Sequence, residues 1–171
     1  DRYDQLSETD ALGRTTTWTY DDKHNKLTET NHLGQMTSYS YDSNGKLLTE
    51  TDHTGRIVSN NRYDSSGQLT ELKNAAGQTT SMSYGSSGLT GLTDVAGHTT
   101  SYVYTGDNLT ETTDPTGRKT RYSYDSNQHL KQKSFADGET ESYSYDAEGQ
   151  LLQTQQVKAA DTTTTSYQYD A

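Results

Sequence analysis

Apolar and polar positions alternate with a period of two through most of this chain. Between residues 34 and 41, Thr37, Tyr39 and Tyr41 fall on one side of an extended segment. The same trio returns as Thr16/Trp18/Tyr20, Thr80/Met82/Tyr84, Thr100/Tyr102/Tyr104, Thr120/Tyr122/Tyr124 and Thr165/Tyr167/Tyr169. Period-two alternation rich in Thr and aromatic residues predicts half-buried strands. Each is followed by a partner segment that opens on Leu6, Leu27, Leu47, Leu69, Leu89, Leu109, Leu130 or Leu151 and continues in Thr, Glu, Gln and Lys. No segment holds a helical period for long, so the expectation is an all-β chain.

Two turn signals separate the strands. One follows the closing tyrosine: Asp42-Ser43-Asn44-Gly45, Asp64-Ser65-Ser66-Gly67 and Asp146-Ala147-Glu148-Gly149. The other precedes the next strand: Asp10-Ala11-Leu12-Gly13, Asp52-His53-Thr54-Gly55, Asp94-Val95-Ala96-Gly97 and Asp114-Pro115-Thr116-Gly117, with Asn31 and Asn74 replacing Asp in two more copies. An Asx side chain bonds the backbone ahead of it, and Gly at the fourth position tolerates positive φ. A type I turn followed by a left-handed residue is a common hairpin connection.

The period is about 21 residues. Gly13, Gly34, Gly55, Gly77, Gly97, Gly117 and Gly138 are spaced 21, 21, 22, 20, 20 and 21 apart. The closing tyrosines Tyr20, Tyr41, Tyr63, Tyr84, Tyr104, Tyr124 and Tyr145 track them, and Tyr169 follows a longer interval. Residues 1–171 therefore read as one array of about eight repeats, with residues 156–164 as a loop insertion. Stacked hairpins place closing tyrosines, first aromatics and leucines in three rows. Cross-strand aromatic pairs, at about 0.2–1 kcal/mol each, are then expected to supply cohesion between repeats that cannot bury a face alone. Copies that depart from the rule predict local irregularity. Asn61 stands where an aromatic is due in a repeat one residue longer, which suggests a β-bulge. Gly85 replaces Asp, and Phe135-Ala136-Asp137-Gly138 moves the acid by two places.

Composition explains why rows must substitute for a core. Only 27% of residues are hydrophobic and mean hydropathy is -1.11, far below a globular chain. Disorder would follow from such values with a net charge of -10, but 14 tyrosines at regular positions oppose it. Twenty-four acids against 14 bases argue against nucleic acid and anionic membranes. No apolar run approaches the roughly 20 residues of a spanning helix. With no cysteine, disulfides and thiolate metal sites are unavailable. The repeat runs to both termini, from Asp1-Arg2-Tyr3-Asp4 to Tyr169-Asp170-Ala171, so we expect a segment of a longer protein. Strand edges at both ends invite edge-to-edge self-association.

The sequence Tyr39-Ser40-Tyr41-Asp42-Ser43-Asn44-Gly45-Lys46-Leu47, followed by Asp52-His53-Thr54-Gly55-Arg56, resembles the YD repeat of Rhs proteins. Tyr143-Ser144-Tyr145-Asp146-Ala147-Glu148-Gly149-Gln150-Leu151 repeats it closely. The resemblance implies tandem β-hairpins forming a continuous twisted or coiled sheet of the YD-shell or solenoid type. It implies a structural, non-enzymatic segment of a bacterial secreted or cell-surface protein. Such shells enclose a C-terminal toxin in polymorphic toxins and toxin-complex C components, and a similar shell serves cell–cell contact in teneurins. The partners it implies are neighbouring repeats of the parent chain and an enclosed toxin domain.

Candidate chemistry is sparse. Self-cleaving Rhs shells carry Asp-Pro-x-Gly-Leu, but Arg118 stands in place of that Leu after Asp114-Pro115-Thr116-Gly117, and the tetrad keeps register with the other turns. His24, His32, His53, His98 and His129 form no triad pattern, and only His32 and His53 read as equivalent, at turn tips. The expected set is no catalytic residue, no metal and no cofactor. The structural positions are the eight closing tyrosines with Gly34, Gly55, Gly77, Gly97 and Gly117. The aromatics Trp18, Tyr39, Tyr102, Tyr122, Tyr143 and Tyr167 admit two roles: packing of the sheet, or stacking against surface glycans. A Tyr stripe at strand period is more often structural.

Overall fold

A computed structural model describes residues 4–159 and 161–170; the opening Asp1-Arg2-Tyr3 motif and Ala171 lie outside that range. The described residues form sixteen strands and no helix. They are β1 (Ser7–Thr9), β2 (Thr15–Tyr20), β3 (Lys26–Thr30), β4 (Met36–Tyr41), β5 (Leu47–Thr51), β6 (Ile57–Tyr63), β7 (Leu69–Asn74) and β8 (Thr79–Gly85). Then come β9 (Gly88–Thr93), β10 (Thr99–Thr105), β11 (Asn108–Thr113), β12 (Lys119–Tyr124), β13 (Leu130–Ser134), β14 (Thr140–Tyr145), β15 (Leu151–Lys158) and β16 (Asp161–Ser166). Hydrogen-bonded neighbours follow chain order throughout, and each pairing whose register is resolved is antiparallel. The chain divides into two compact units, residues 1–82 and 83–171.

The hairpin turns are built as their sequence dictates. In the turn after β1, the Asp10 carbonyl accepts the Gly13 N–H at 2.9 Å and the Asp10 N–H reaches the Arg14 carbonyl at 3.0 Å. The Asp10 carboxylate meanwhile accepts the N–H groups of Leu12 and Arg14. The same four-bond set recurs at Asn31, Asp42, Asp52, Asp64, Asn74, Asp94, Asp114, Asp125 and Asp146. Phe135 opens its turn through backbone bonds alone, and Asp137 captures the Glu139 N–H from inside the turn.

Two turns depart from the expected glycine. His24 (φ 66) and Gln128 (φ 70) occupy the fourth position in the left-handed region. A side chain there costs roughly 1–2 kcal/mol. We therefore expect Gln128→Gly to raise the stability of the second unit by about 1 kcal/mol, read from the urea midpoint at constant slope.

Register shifts mark the strand ends. The extra residue of the long repeat produces the expected irregularity, between Glu50 and Thr51 opposite Ile57. A second shift, absent from the sequence reading, sits just before the closing tyrosine in copy after copy: Thr19/Tyr20, Ser40/Tyr41, Arg62/Tyr63, Val103/Tyr104, Ser123/Tyr124 and Ser144/Tyr145. This shift fixes the leucine row. Tyr41 faces Leu47 and Tyr145 faces Leu151, but Tyr20 faces Lys26. Leu27 is thus one place out of the row, and Leu6 is 65% exposed beside Gln5, which takes the row position. The turn before Lys26 is as long as the one before Leu47, so the leucine falls one residue past the row position.

The insertion at 156–164 is not a loop. It lengthens a hairpin, with β15 and β16 in continuous register from Gln153↔Ser166 to Lys158↔Asp161. Its run of threonines and Val157 favours extended backbone. No hydrophobic side chain among the described residues is fully buried. The Thr/Tyr/Tyr side is the more covered, as in β2 and β12, where burial alternates residue by residue. The opposite side carries hydroxyl pairs such as Thr9–Thr15 (2.8 Å) and Thr93–Thr99 (2.8 Å).

Candidate functional site

The repeated feature with most chemistry is the covered side of the hairpins. Tyr20, Tyr41, Tyr63, Tyr124 and Tyr145 each follow a register shift, and each sends its hydroxyl to the preceding hairpin. In the first unit Tyr20 donates to the Gln5 carbonyl (3.1 Å), Tyr41 to Lys26 (2.8 Å) and Tyr63 to Leu47 (3.0 Å). In the second, Tyr124 donates to Leu109 (2.9 Å), Tyr145 to Leu130 (3.0 Å) and Tyr169 to Leu151 (2.9 Å). Burial raises the Tyr41 and Tyr124 pKa values, which keeps those phenols protonated as donors. Tyr104 lies over Gly88, its hydroxyl 3.5 Å from where a Cβ would stand. Tyr84 closes β8, half-buried.

The first aromatics do not stack on one another. Trp18 faces Glu29, Tyr39 faces Glu50, Tyr102 faces Thr112, Tyr122 faces Lys133 and Tyr143 faces Thr154. Among the described first aromatics the expected cross-strand pairs do not form, because aromatics occupy every second strand. Two strand spacings come to roughly 9.5 Å, beyond the 4.5–7 Å of ring pairs. Polar residues of the intervening strand fill the gap. Lys26 stands over the Tyr39 ring at 4.6 Å, Lys46 over Tyr63 at 5.3 Å and Lys133 over Tyr143 at 5.4 Å. The Tyr143 hydroxyl and Glu141 together raise the Lys133 pKa, and Glu29 raises that of Lys26, so both stay charged. Trp18, Tyr39, Tyr102, Tyr122 and Tyr143 are half-buried, whereas Tyr167 is 40% exposed.

Asn61 shows why a polar residue tolerates an aromatic position. It is 8% exposed, and its side-chain amide donates to the Leu47 carbonyl (3.1 Å) while its oxygen accepts the Ser59 hydroxyl (3.2 Å). The glycines Gly34, Gly55, Gly77, Gly97 and Gly117 all have φ between 76 and 86, with open space where a Cβ would stand. Their requirement is conformational, not steric.

The histidines serve turns. His98 and His129 both follow the fourth position and lie against the turn carboxylates of Asp94 (3.1 Å) and Asp125 (3.3 Å), an equivalence the sequence reading missed. His24 meets Asp4 at 2.7 Å. Asp114 bonds Thr116 and Arg118 as Asp52 bonds Thr54 and Arg56, so the Asp-Pro tetrad is a repeat turn. Among the described residues no three His, Asp or Glu side chains converge as metal ligands.

The turn carboxylates make folding acid-sensitive. The Thr54 hydroxyl, followed by backbone N–H groups, lowers Asp52 from its ordinary 3.8 to about 2. Hydrogen bonds also lower Asp10, Asp21, Asp94, Asp114 and Asp125. Because these pKa values fall on folding, the unfolded chain binds protons first. Their contribution is complete well above pH 3.8 and is lost as pH falls toward about 2. The urea midpoint is expected to hold between pH 7 and 5 and to drop steadily below pH 4. A midpoint unchanged at pH 2.5 would mean that the carboxylates do not hold the turns.

The RHS Repeat family model matches residues 22–57, 104–132 and 124–163, together more than half of the chain. No curated protein matches in sequence. In structure the chain is similar to the crystal structure of TcdB2-TccC3-Cdc42, with a TM-score of 0.72 and 19% identity over 90% of this chain. TcdB2-TccC3 itself gives the same values. The Photorhabdus luminescens Tc holotoxin pore with a mutated TccC3 gives 0.71 and 19% over 90%. The chain spans about a tenth of those proteins (10%, 10% and 9%).

Proposed function

Because the chain belongs to the RHS-repeat family, we propose that this structural repeat segment is part of a β-wall that encloses or presents a toxin domain in its parent protein. The observation that carries this reading is the tyrosine link. Hydroxyls of Tyr20, Tyr41, Tyr63, Tyr124, Tyr145 and Tyr169, each bonded to the backbone of the hairpin before, make a cohesive sheet out of a sequence with no oily interior. Similarity to toxin-complex proteins supports the same reading, as does a covered side occupied by packing and ion pairs instead of a reactive constellation. The role is non-enzymatic, and the parent is a secreted or surface protein of a bacterium. A protease test decides it. A domain encoded in the same parent chain should survive digestion while the repeats are intact and be degraded once they are unfolded. Equal degradation in both states would refute enclosure.

Glycan contact is the second reading, favoured by one place. Tyr167 and Tyr169 are 40% and 52% exposed and line an open groove with Leu152, Asp146 and Gln150. Retention on a glycan array that Tyr167→Ala abolishes would support it; no retention would remove it.

A further inference from the structure

We propose that the groove over Trp18 docks a cationic side chain, ammonium or guanidinium, of a basic polypeptide segment. The groove, about 450 Å³, is lined by Glu8, Asp10, Arg14, Thr16, Trp18, Glu29 and His32. The next repeat holds an occupied version of the same arrangement. There Lys26 stands over the Tyr39 ring at 4.6 Å and is tied to Glu29 at 2.7 Å. Tyr41 donates to the Lys26 carbonyl as Tyr20 donates to that of Gln5. Gln5, Glu8 and Trp18 are therefore the counterparts of Lys26, Glu29 and Tyr39.

In the first repeat the position of that lysine holds an uncharged residue. Gln5 replaces lysine and reaches Glu8 only at 3.4 Å. Among the described residues Glu8 has no cationic partner, and no Lys or Arg stands over Trp18. Arg14 is turned to Asp10 at 2.7 Å. Indole is the strongest cation–π acceptor among side chains. Here it lies opposite Glu29 across the β2–β3 pairing, and Glu29 is already bonded to Lys26 at 2.7 Å. An aromatic floor beside an uncompensated carboxylate, on a chain of net charge -10, selects a positive group and rejects an anionic one. This inference does not depend on the enclosure reading.

Trp18 is the chain's one tryptophan, so its emission reports the groove directly. Titration with a tetra-arginine peptide at physiological salt should give a saturable change, and a tetra-citrulline peptide should give none. Glu8→Gln should weaken binding up to about fivefold, the upper end for loss of an exposed charge partner. Gln5→Lys should weaken it similarly, by supplying the chain's own ammonium to the ring. Trp18→Leu should abolish binding in calorimetry, with circular dichroism confirming the fold. Glu148→Gln, at a turn of the second unit, should leave it unchanged. An unsaturable response, equal binding of the citrulline peptide, or equal losses in Glu8→Gln and Glu148→Gln would overturn the proposal. If Trp18→Leu fails to fold, Gln5→Lys decides: unchanged affinity refutes it.

Discussion

Tyr124→Ala is expected to lower the stability of the second unit by about 2–3 kcal/mol, somewhat under the cost of deleting a fully buried aromatic. The ring is half-buried, and its hydroxyl bridges to the Leu109 carbonyl at 2.9 Å. Removing only the hydroxyl separates the two contributions. Tyr124→Phe leaves the ring in place and strands the carbonyl, at a cost of about 1 kcal/mol. Tyr169→Phe, at a ring 52% exposed where water can replace the donor, should cost under about 0.5 kcal/mol. Urea unfolding followed by far-ultraviolet circular dichroism measures all three. Equal, small losses at Tyr124 and Tyr169 would show that these links do not hold the repeats together.

Gly88→Ala should cost about 2 kcal/mol, because φ of 138 lies in a region essentially closed to other residues. The added Cβ would meet Tyr104 at 3.5 Å, an ordinary contact, so the loss is backbone strain and not collision. Gly117→Ala is the control. At φ 86 with open space around it, the cost should be about 1 kcal/mol. Thermal midpoints that fall equally in both variants would contradict this ranking.

The turns were legible in the sequence because their chemistry is local. Asx at the first position and Gly at the fourth are read within five residues. His24 and Gln128 escaped because the turn's backbone bonds tolerate the strain of a non-glycine residue. The tyrosine rows were legible as a period, but their partners were not. Alternation assigns a side of the strand and says nothing of the shift before each closing tyrosine, which sets what that ring touches. Lys26 in the leucine row is the clearest case. Its carbon stem takes a leucine's place while its amine reaches Glu29 and Tyr39, and binary patterning cannot register such a residue. The glycan-stacking set read from the same alternation proves to be interleaved with Glu29, Thr112 and Lys133.

Strands that bond only to their predecessors and successors have a mechanical consequence. Within either unit, tension applied at one end loads the hydrogen bonds of a single hairpin and leaves the rest slack. Such a chain should peel apart at low force, in increments of one repeat, with no single rupture event. Relaxed, it should close again in the same increments, since each hairpin needs only the one beside it as a template.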